Sequence, residues 1–141
     1  MGYEVLKWEV YKSVINAHLD PFLGFLHSIQ HGKPSLVCDL QEPYRPLIDG
    51  FLINYSKNID KKDLEANYRG SFPRIFLKHK KSSKLISELN SFLNAKIGRQ
   101  RTRQFGATSK RKTAIKEAIE QLVKFLIGSS KNWKITNIIS I

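Results

Sequence analysis

Three side chains in the first third of the sequence could do chemistry together: His27, Asp39 and Glu42. Asp39 and Glu42 are three residues apart, and side chains at that spacing share one face of a helix. Two carboxylates on one face, joined by an imidazole from a preceding loop, make a donor set suited to Mn²⁺ or Mg²⁺. Such an ion can polarise a phosphodiester and stabilise the charge that builds on its oxygens. Without an ion, the same pair is a solvated helix face, and Arg45, three residues beyond Glu42, is a ready ion-pair partner. A second metal reading takes His27, His31 and Cys38 as zinc ligands. It has only three candidates and no second cysteine, and Cys38, beside an apolar helical face, reads better as a small buried hydrophobe. There is no phosphate-binding glycine loop and no GxSxG elbow.

These side chains need elements to hold them. Residues 3–18 carry Val5, Leu6, Trp8, Tyr11, Val14 and Ile15 at three- and four-residue spacing, which predicts a helix with Trp8 and Tyr11 in the core. Asp20-Pro21 is a helix-start signal, with Asp20 as the cap and Pro21 in the first turn. The apolar run Phe22–Leu26 follows and ends at His27. Phe22 and Phe25 flank Gly24 and are expected to pack the loop that positions the histidine. Gly32-Lys33-Pro34 is a break. From Ser35 to Tyr55, Leu36, Leu40, Leu47, Phe51 and Tyr55 mark one face. Pro43 and Pro46 fall inside this stretch and free the carbonyls of Asp39 and Glu42, so a kinked helix or two helices meeting is predicted.

Residues 57–81 read as polar and irregular, with short strands around Phe72–Leu77. Leu85–Leu93 reads as a short helix. Ile115, Ala118, Ile119, Leu122, Val123, Leu126 and Ile127 make a final helical stripe, with Thr108 or Ser109 as its cap and Gly128 at its end. Trp133 is expected to seal that end. The fold class is mainly α: one helical, bundle-like domain over 1–141, with at most a short β element near 72–77.

The charge is lopsided. The 141 residues carry a formal charge of +12. Residues 1–56 hold four basic side chains against six acidic ones, and residues 57–141 hold twenty against six. A field of that kind favours a polyanion. Arg99, Arg101, Arg103, Lys110, Arg111 and Lys112 lie within fourteen residues that contain no acid. Arg69, Arg74, Lys78, Lys80, Lys81 and Lys84 form a second group. Alternation of Arg99, Arg101 and Arg103 with polar residues suits an extended segment, and Lys110–Lys112 sit where a helix start exposes its amides to phosphate. No base-reading device is evident, so phosphate contact is expected. One cysteine excludes an intrachain disulfide. No apolar run reaches membrane-spanning length, and Glu4 and Glu9 stand where a signal peptide would be basic. The expected location is cytoplasmic.

Three linked blocks narrow the reading. Leu19-Asp20-Pro21-Phe22-Leu23-Gly24-Phe25-Leu26-His27, then His31-Gly32-Lys33-Pro34-Ser35-Leu36, then Asp39-Leu40-Gln41-Glu42-Pro43-Tyr44-Arg45-Pro46-Leu47-Ile48-Asp49 resemble, in order and spacing, the helical catalytic domain of the CRISPR-associated spacer integrase. The resemblance implies that His27 and Glu42 bind a divalent metal, Mn²⁺ or Mg²⁺, with Asp39 beside the site and counted with them as a catalytic and metal residue. It also implies that Arg45 contacts DNA, and it puts Arg69 near a DNA-contacting region. The family is a metal-dependent DNA endonuclease. It joins a DNA 3′-hydroxyl to the CRISPR repeat by transesterification, so the implied DNA is double-stranded prespacer and repeat. It acts as a dimer with a small CRISPR-associated adaptation partner protein.

The sequence also departs from the family. The family's third ligand is a glutamate well upstream of the histidine, and its β-rich dimerisation domain lies further upstream. Only 26 residues precede His27. The expectation is therefore a C-terminal portion of an integrase, whether fragment, truncation or half of a split enzyme, with an incomplete metal site. The competing expectation is a non-catalytic nucleic-acid-binding or interaction module derived from the same domain.

Overall fold

The computed structural model describes residues 1–28, 30–68, 73–96 and 110–133. Five helices run in the order α1 (Gly2–Asn16), α2 (Ser35–Gln41), α3 (Arg45–Ser56), α4 (His79–Asn94) and α5 (Arg111–Leu126). Between α3 and α4, strands β1 (Leu64–Tyr68) and β2 (Pro73–Leu77) pair antiparallel, with Leu64 opposite Leu77 and Ala66 opposite Ile75. The mainly α class is the one observed.

Helix α1 is the hub and packs against the other four helices. Its buried stripe is Leu6, Val10 and Val14, at four-residue spacing. It meets Leu36, Val37 and Leu40 of α2, Leu47 and Ile48 of α3, Leu89 and Leu93 of α4, and Ala114, Ile115, Ile119 and Leu122 of α5 in one core. Trp8 is not in that core: it is 63% exposed. The three- and four-residue spacing of α1 defines two apolar stripes, and the one bearing Val10 is the one that docks. Tyr11 only packs against the edge of the core. Gly2 lets α1 close on α3, since a Cβ there would lie 3.0 Å from Ile48 Cγ2 and 3.1 Å from Leu52 Cδ1.

Helix α1 ends in a Schellman turn. His18 takes a left-handed φ of 57°. The Leu19 N–H returns to the Val14 carbonyl at 3.1 Å and the His18 N–H to Ile15 at 3.0 Å. The turn throws the chain back over α1 into the segment that carries His27.

Asp20-Pro21 does not start a helix. Asp20 Oδ1 accepts the Phe22 N–H at 2.9 Å in a local turn, and residues 21–28 form turns and bends. The reason lies downstream, where the N–H groups that a helix would consume are claimed by Asp39. The segment Ser35–Tyr55 kinks as expected. Helix α2 gives way to a 3-10 turn at Glu42–Tyr44, with Pro43 inside it, and α3 follows with Pro46 in its first turn.

Helix α4 begins six residues before the predicted Leu85. The first strand lies at Leu64–Tyr68, in the stretch read as irregular, and the hairpin faces solvent along nearly its whole length. Lys110 caps α5 without a side-chain bond, and Thr108 and Ser109 lie outside the described residues. Gly128 turns the end of α5 at φ 76°. Trp133 does not seal that end: it is partly buried against the middle of α5, its Nε1–H donating to the Ala118 carbonyl at 3.1 Å.

Candidate metal and DNA site

The site is built around a buried carboxylate. Asp39, on α2, is 2% exposed. Its Oδ2 accepts the N–H groups of Phe25 at 2.6 Å and Leu26 at 2.9 Å. Its Oδ1 accepts the His27 N–H at 3.0 Å and contacts His27 Nδ1 at 2.5 Å. Burial pushes the Asp39 carboxyl up, but the Leu26 N–H, the His27 ring and the Phe25 and His27 N–H groups together outweigh it and hold the group below its ordinary value. An ionised carboxylate needs a proton on the ring nitrogen that faces it. Nδ1 faces the carboxylate, so Nε2 is the ring nitrogen left for another partner, and the ring is about one-third exposed.

Glycine makes this cradle possible. A Cβ on Gly24 would stand 2.7 Å from Asp39 Oδ2 and 2.7 Å from Ser35 Cβ. No side chain fits there without moving the loop off α2. The Leu36 N–H, one of the unpaired donors at the start of α2, is taken by the Pro21 carbonyl at 3.0 Å. Ser35, wholly buried, donates to the Ser28 carbonyl at 3.2 Å. Because the backbone faces inward, the apolar side chains of the loop face out. Phe22, Leu23, Phe25 and Leu26 are all exposed, contrary to the packing expected for the two phenylalanines. Phe25 still meets Trp133 edge-on, with ring centroids 6.3 Å apart.

Asp39 is therefore a fully hydrogen-bonded carboxylate. Both of its oxygens are committed to protein donors, and it is not free to act as the ligand the sequence suggested.

Glu42 is used differently. It opens the 3-10 turn, and its side chain is 40% exposed. Arg45 Nη1 donates to both of its oxygens, at 2.8 and 2.9 Å. The guanidinium lies 4.7 Å from the centroid of the Tyr3 ring, and the Tyr3 hydroxyl donates to Asp49 Oδ1. The Glu42 bond raises the Arg45 pKa, and Asp49 raises that of Tyr3. Tyr3 and Asp49 were missed as site residues. The available signal was the spacing Glu42, Arg45, Asp49, which places all three on one helical stripe.

The remaining positions divide. Arg69, Arg99, Arg101 and Arg103 lie outside the described residues. Lys110 is exposed at the start of α5. Arg111 and Lys112 are not free surface cations. The Arg111 guanidinium stacks 4.1 Å over Phe92, and its Nη1 donates to the Phe92 carbonyl at 3.0 Å. Lys112 pairs with Glu9 at 2.9 Å. Both tie α5 to the bundle. Lys81 likewise pairs with Asp63 at 2.9 Å. Among the described residues no group of three or more His, Cys, Asp or Glu could hold a metal ion. That removes the His27–His31–Cys38 zinc reading and, as a three-ligand group among the described residues, the expected His27–Asp39–Glu42 set as well.

The cradle and the ion pair both fall within the segment that matches a known family. The sequence model of "CRISPR associated protein Cas1" matches residues 1–91 of the 141. The chain belongs to the Cas1 family. The CRISPR-associated endonuclease Cas1 of Korarchaeum cryptofilum (strain OPF8) is 40% identical over 65 residues, which are 46% of this chain and 19% of that protein. CRISPR-associated endonuclease Cas1 1 of Francisella tularensis subsp. novicida (strain U112) is 33% identical over 96 residues, 67% of this chain and 26% of that one. A solved structure described as "Casposase bound to integration product" superposes with a TM-score of 0.79 at 28% identity, over 99% of this chain and 38% of the casposase chain. A CAS1 protein from Thermotoga maritima shares the fold, with a TM-score of 0.72. This Cas1-family chain thus corresponds to about a fifth of the first of these relatives. No helix among its described residues is long and apolar enough to cross a membrane.

Proposed function

We propose that this chain is the C-terminal helical, catalytic and DNA-holding portion of a CRISPR adaptation integrase. In this reading it acts on double-stranded prespacer and repeat DNA, with a small CRISPR-associated adaptation partner protein and as a dimer. The carrying observation is the Asp39 cradle: four donors converge on one buried carboxylate, which holds the His27 ring by Nδ1 and leaves Nε2 for another partner. That imidazole nitrogen and the Glu42 carboxylate are hard-to-intermediate donors that fit Mn²⁺ or Mg²⁺. A divalent ion bound there would supply Lewis-acid stabilisation of the phosphodiester oxygens. Asp39 orients the ring and Glu42 contributes the charge. Lys110, Arg45 and the basic positions Arg69, Arg99, Arg101 and Arg103 meet phosphates.

Two donors bind an ion weakly, so the activity requires a further carboxylate from another chain or segment. One feature favours a separate chain that seats beside the histidine: Leu23, Phe25 and Leu26 are exposed there, Leu26 by 72%. Trp8 lies on a neighbouring groove with Tyr11, Phe22 and Pro34. Apolar surface grouped in this way marks an interaction site.

The test is joining of a 3′-hydroxyl DNA end into plasmid in Mn²⁺, with and without an added chain that carries the upstream part of a Cas1 relative. Activity that depends on that chain and is abolished by His27→Ala is the expected result. DNA binding that is unchanged by Mn²⁺ and by His27→Ala, with no joining under either condition, selects instead the non-catalytic DNA-binding module. The capture of Glu42 by Arg45 is the observation that speaks for that second reading.

A further inference from the structure

Glu42 is a candidate ligand held by a single solvent-accessible side chain, Arg45. We propose that Arg45 is an exchangeable counter-ion that couples cation binding to DNA binding: it neutralises Glu42 until a cation takes that carboxylate, and the released guanidinium then binds a DNA phosphate. The proposal rests on the metal and DNA reading above and adds the coupling between the two ligands.

The geometry supports exchange rather than a fixed bridge. Arg45 reaches both Glu42 oxygens through a single nitrogen, Nη1. Its Nε is buried and has no acceptor among the described residues. The guanidinium thus holds the carboxylate with one of its donor positions and has capacity left for a second acceptor. The pair is 43% and 40% exposed at its two side chains, so water and a competing cation have access, and ion pairs that open to solvent are weakly held.

Release does not set the side chain loose. The Tyr3 ring lies beneath the guanidinium at 4.7 Å, and Tyr3 is itself tethered to Asp49. An arginine stacked on an aromatic face and freed of its carboxylate is pre-oriented for a bidentate phosphate contact. Asp39 cannot take Glu42's place in this exchange, since its lone pairs are spent inside the protein. Reciprocity follows from linkage: if a cation on Glu42 raises DNA affinity through Arg45, DNA must raise cation affinity by the same factor.

The first experiment needs no metal. Binding of a labelled duplex is measured by fluorescence anisotropy across a salt series, in chelator, for wild type, Glu42→Gln, Arg45→Gln and the double variant, with circular dichroism confirming that each is folded. Glu42→Gln should raise affinity about fivefold, and its salt slope should steepen by about 0.9, the value of one added phosphate contact. In the Arg45→Gln background the same change should give less than a twofold gain. An equal gain in both backgrounds means simple relief of repulsion and overturns the proposal. The second experiment titrates Mn²⁺ by electron paramagnetic resonance with and without the duplex. Wild type should bind Mn²⁺ several-fold more tightly in the presence of DNA, and Arg45→Gln should lose that enhancement. Enhancement that survives in Arg45→Gln also overturns the coupling. His27→Ala separates the two claims: Mn²⁺ affinity that is unchanged in this variant defeats the metal reading, while the metal-free comparison still decides whether Arg45 is held by Glu42.

Discussion

Asp39 and Glu42 stand three residues apart, carry the same charge and leave the same stretch of helix, yet their surroundings differ in every respect. Asp39 is 2% exposed and accepts from four donors, three of them backbone N–H groups of the loop it shapes. Glu42 is 40% exposed and is held by one nitrogen of one flexible side chain. Helix α2 ends at Gln41 between them, and Glu42, with Pro43 next to it, opens the 3-10 turn. A buried carboxylate with every lone pair engaged is part of the scaffold and costs much to disturb. A half-exposed one with a single partner costs little to rearrange. The contrast separates orientation from exchange: one acid fixes where the imidazole points, and the other stays available.

The sharpest way to break the contrast is Asp39→Ala. It strands four donors around an empty position, and the expected loss is about 3 kcal/mol or more, read as a fall in the urea midpoint with an unchanged slope. Glu42→Ala should change stability by about 1 kcal/mol or less. Equal losses from the two substitutions would show that the cradle is not the rigid member of the pair. Gly24→Ala attacks the same cradle sterically. Its Cβ would sit 2.7 Å from Asp39 Oδ2 and 2.8 Å from the Ser35 backbone carbon, so a cost of about 1–3 kcal/mol is expected, accompanied by a shift of the His27 ring resonances in NMR.

Acid sharpens the comparison without mutation at Glu42. The folded Asp39 carboxyl titrates below its ordinary value, because the N–H and imidazole bonds outweigh burial. An unfolded aspartate titrates near 3.9, as a rough reference. Between that value and the lower folded one, the unfolded chain binds more protons, so stability rises with pH across the window. The contribution is complete above about pH 4 and is lost as pH falls through the folded pKa. Asp39→Asn should flatten this part of the stability–pH curve measured by urea unfolding. A curve that keeps its full acid limb in Asp39→Asn would assign the effect to other carboxylates.

The same contrast explains what could be read from the chain in advance. Spacing placed Asp39, Glu42 and Arg45 on one stripe, and the two prolines placed the kink between them. Neither could tell which acid turns inward. That depends on Gly24 letting the loop approach α2, a contact between residues fifteen apart. The same contact defeats the helix signal at Asp20-Pro21, because local capping loses to three backbone bonds offered by a distant carboxylate. Trp8 was misplaced because periodicity gives a stripe and not its partner. The charge of Arg111 and Lys112 is visible in a sequence, while their contacts with Phe92 and Glu9 are brought about only by packing. The strand Leu64–Tyr68 was missed because its side chains gain almost no burial, and burial is what writes a strand pattern.

Tyr3→Phe gives the smallest effect and the finest resolution of the exchangeable side. It keeps the ring under Arg45 and removes only the hydroxyl that donates to Asp49, so the expected stability change is small. The tyrosine titration provides a direct readout. Tyr3 is raised above its ordinary value, first by its bond to Asp49 and then by burial and that carboxylate's charge. In wild type its ultraviolet transition should therefore lag behind that of exposed tyrosines as pH rises, and Asp49→Asn should bring it back towards them. Should Tyr3 titrate with the exposed group in wild type, the tether does not hold in solution. Arg45 would then have an aromatic neighbour but no anchored platform, and the difference in order between the two acids would extend to the residues behind them.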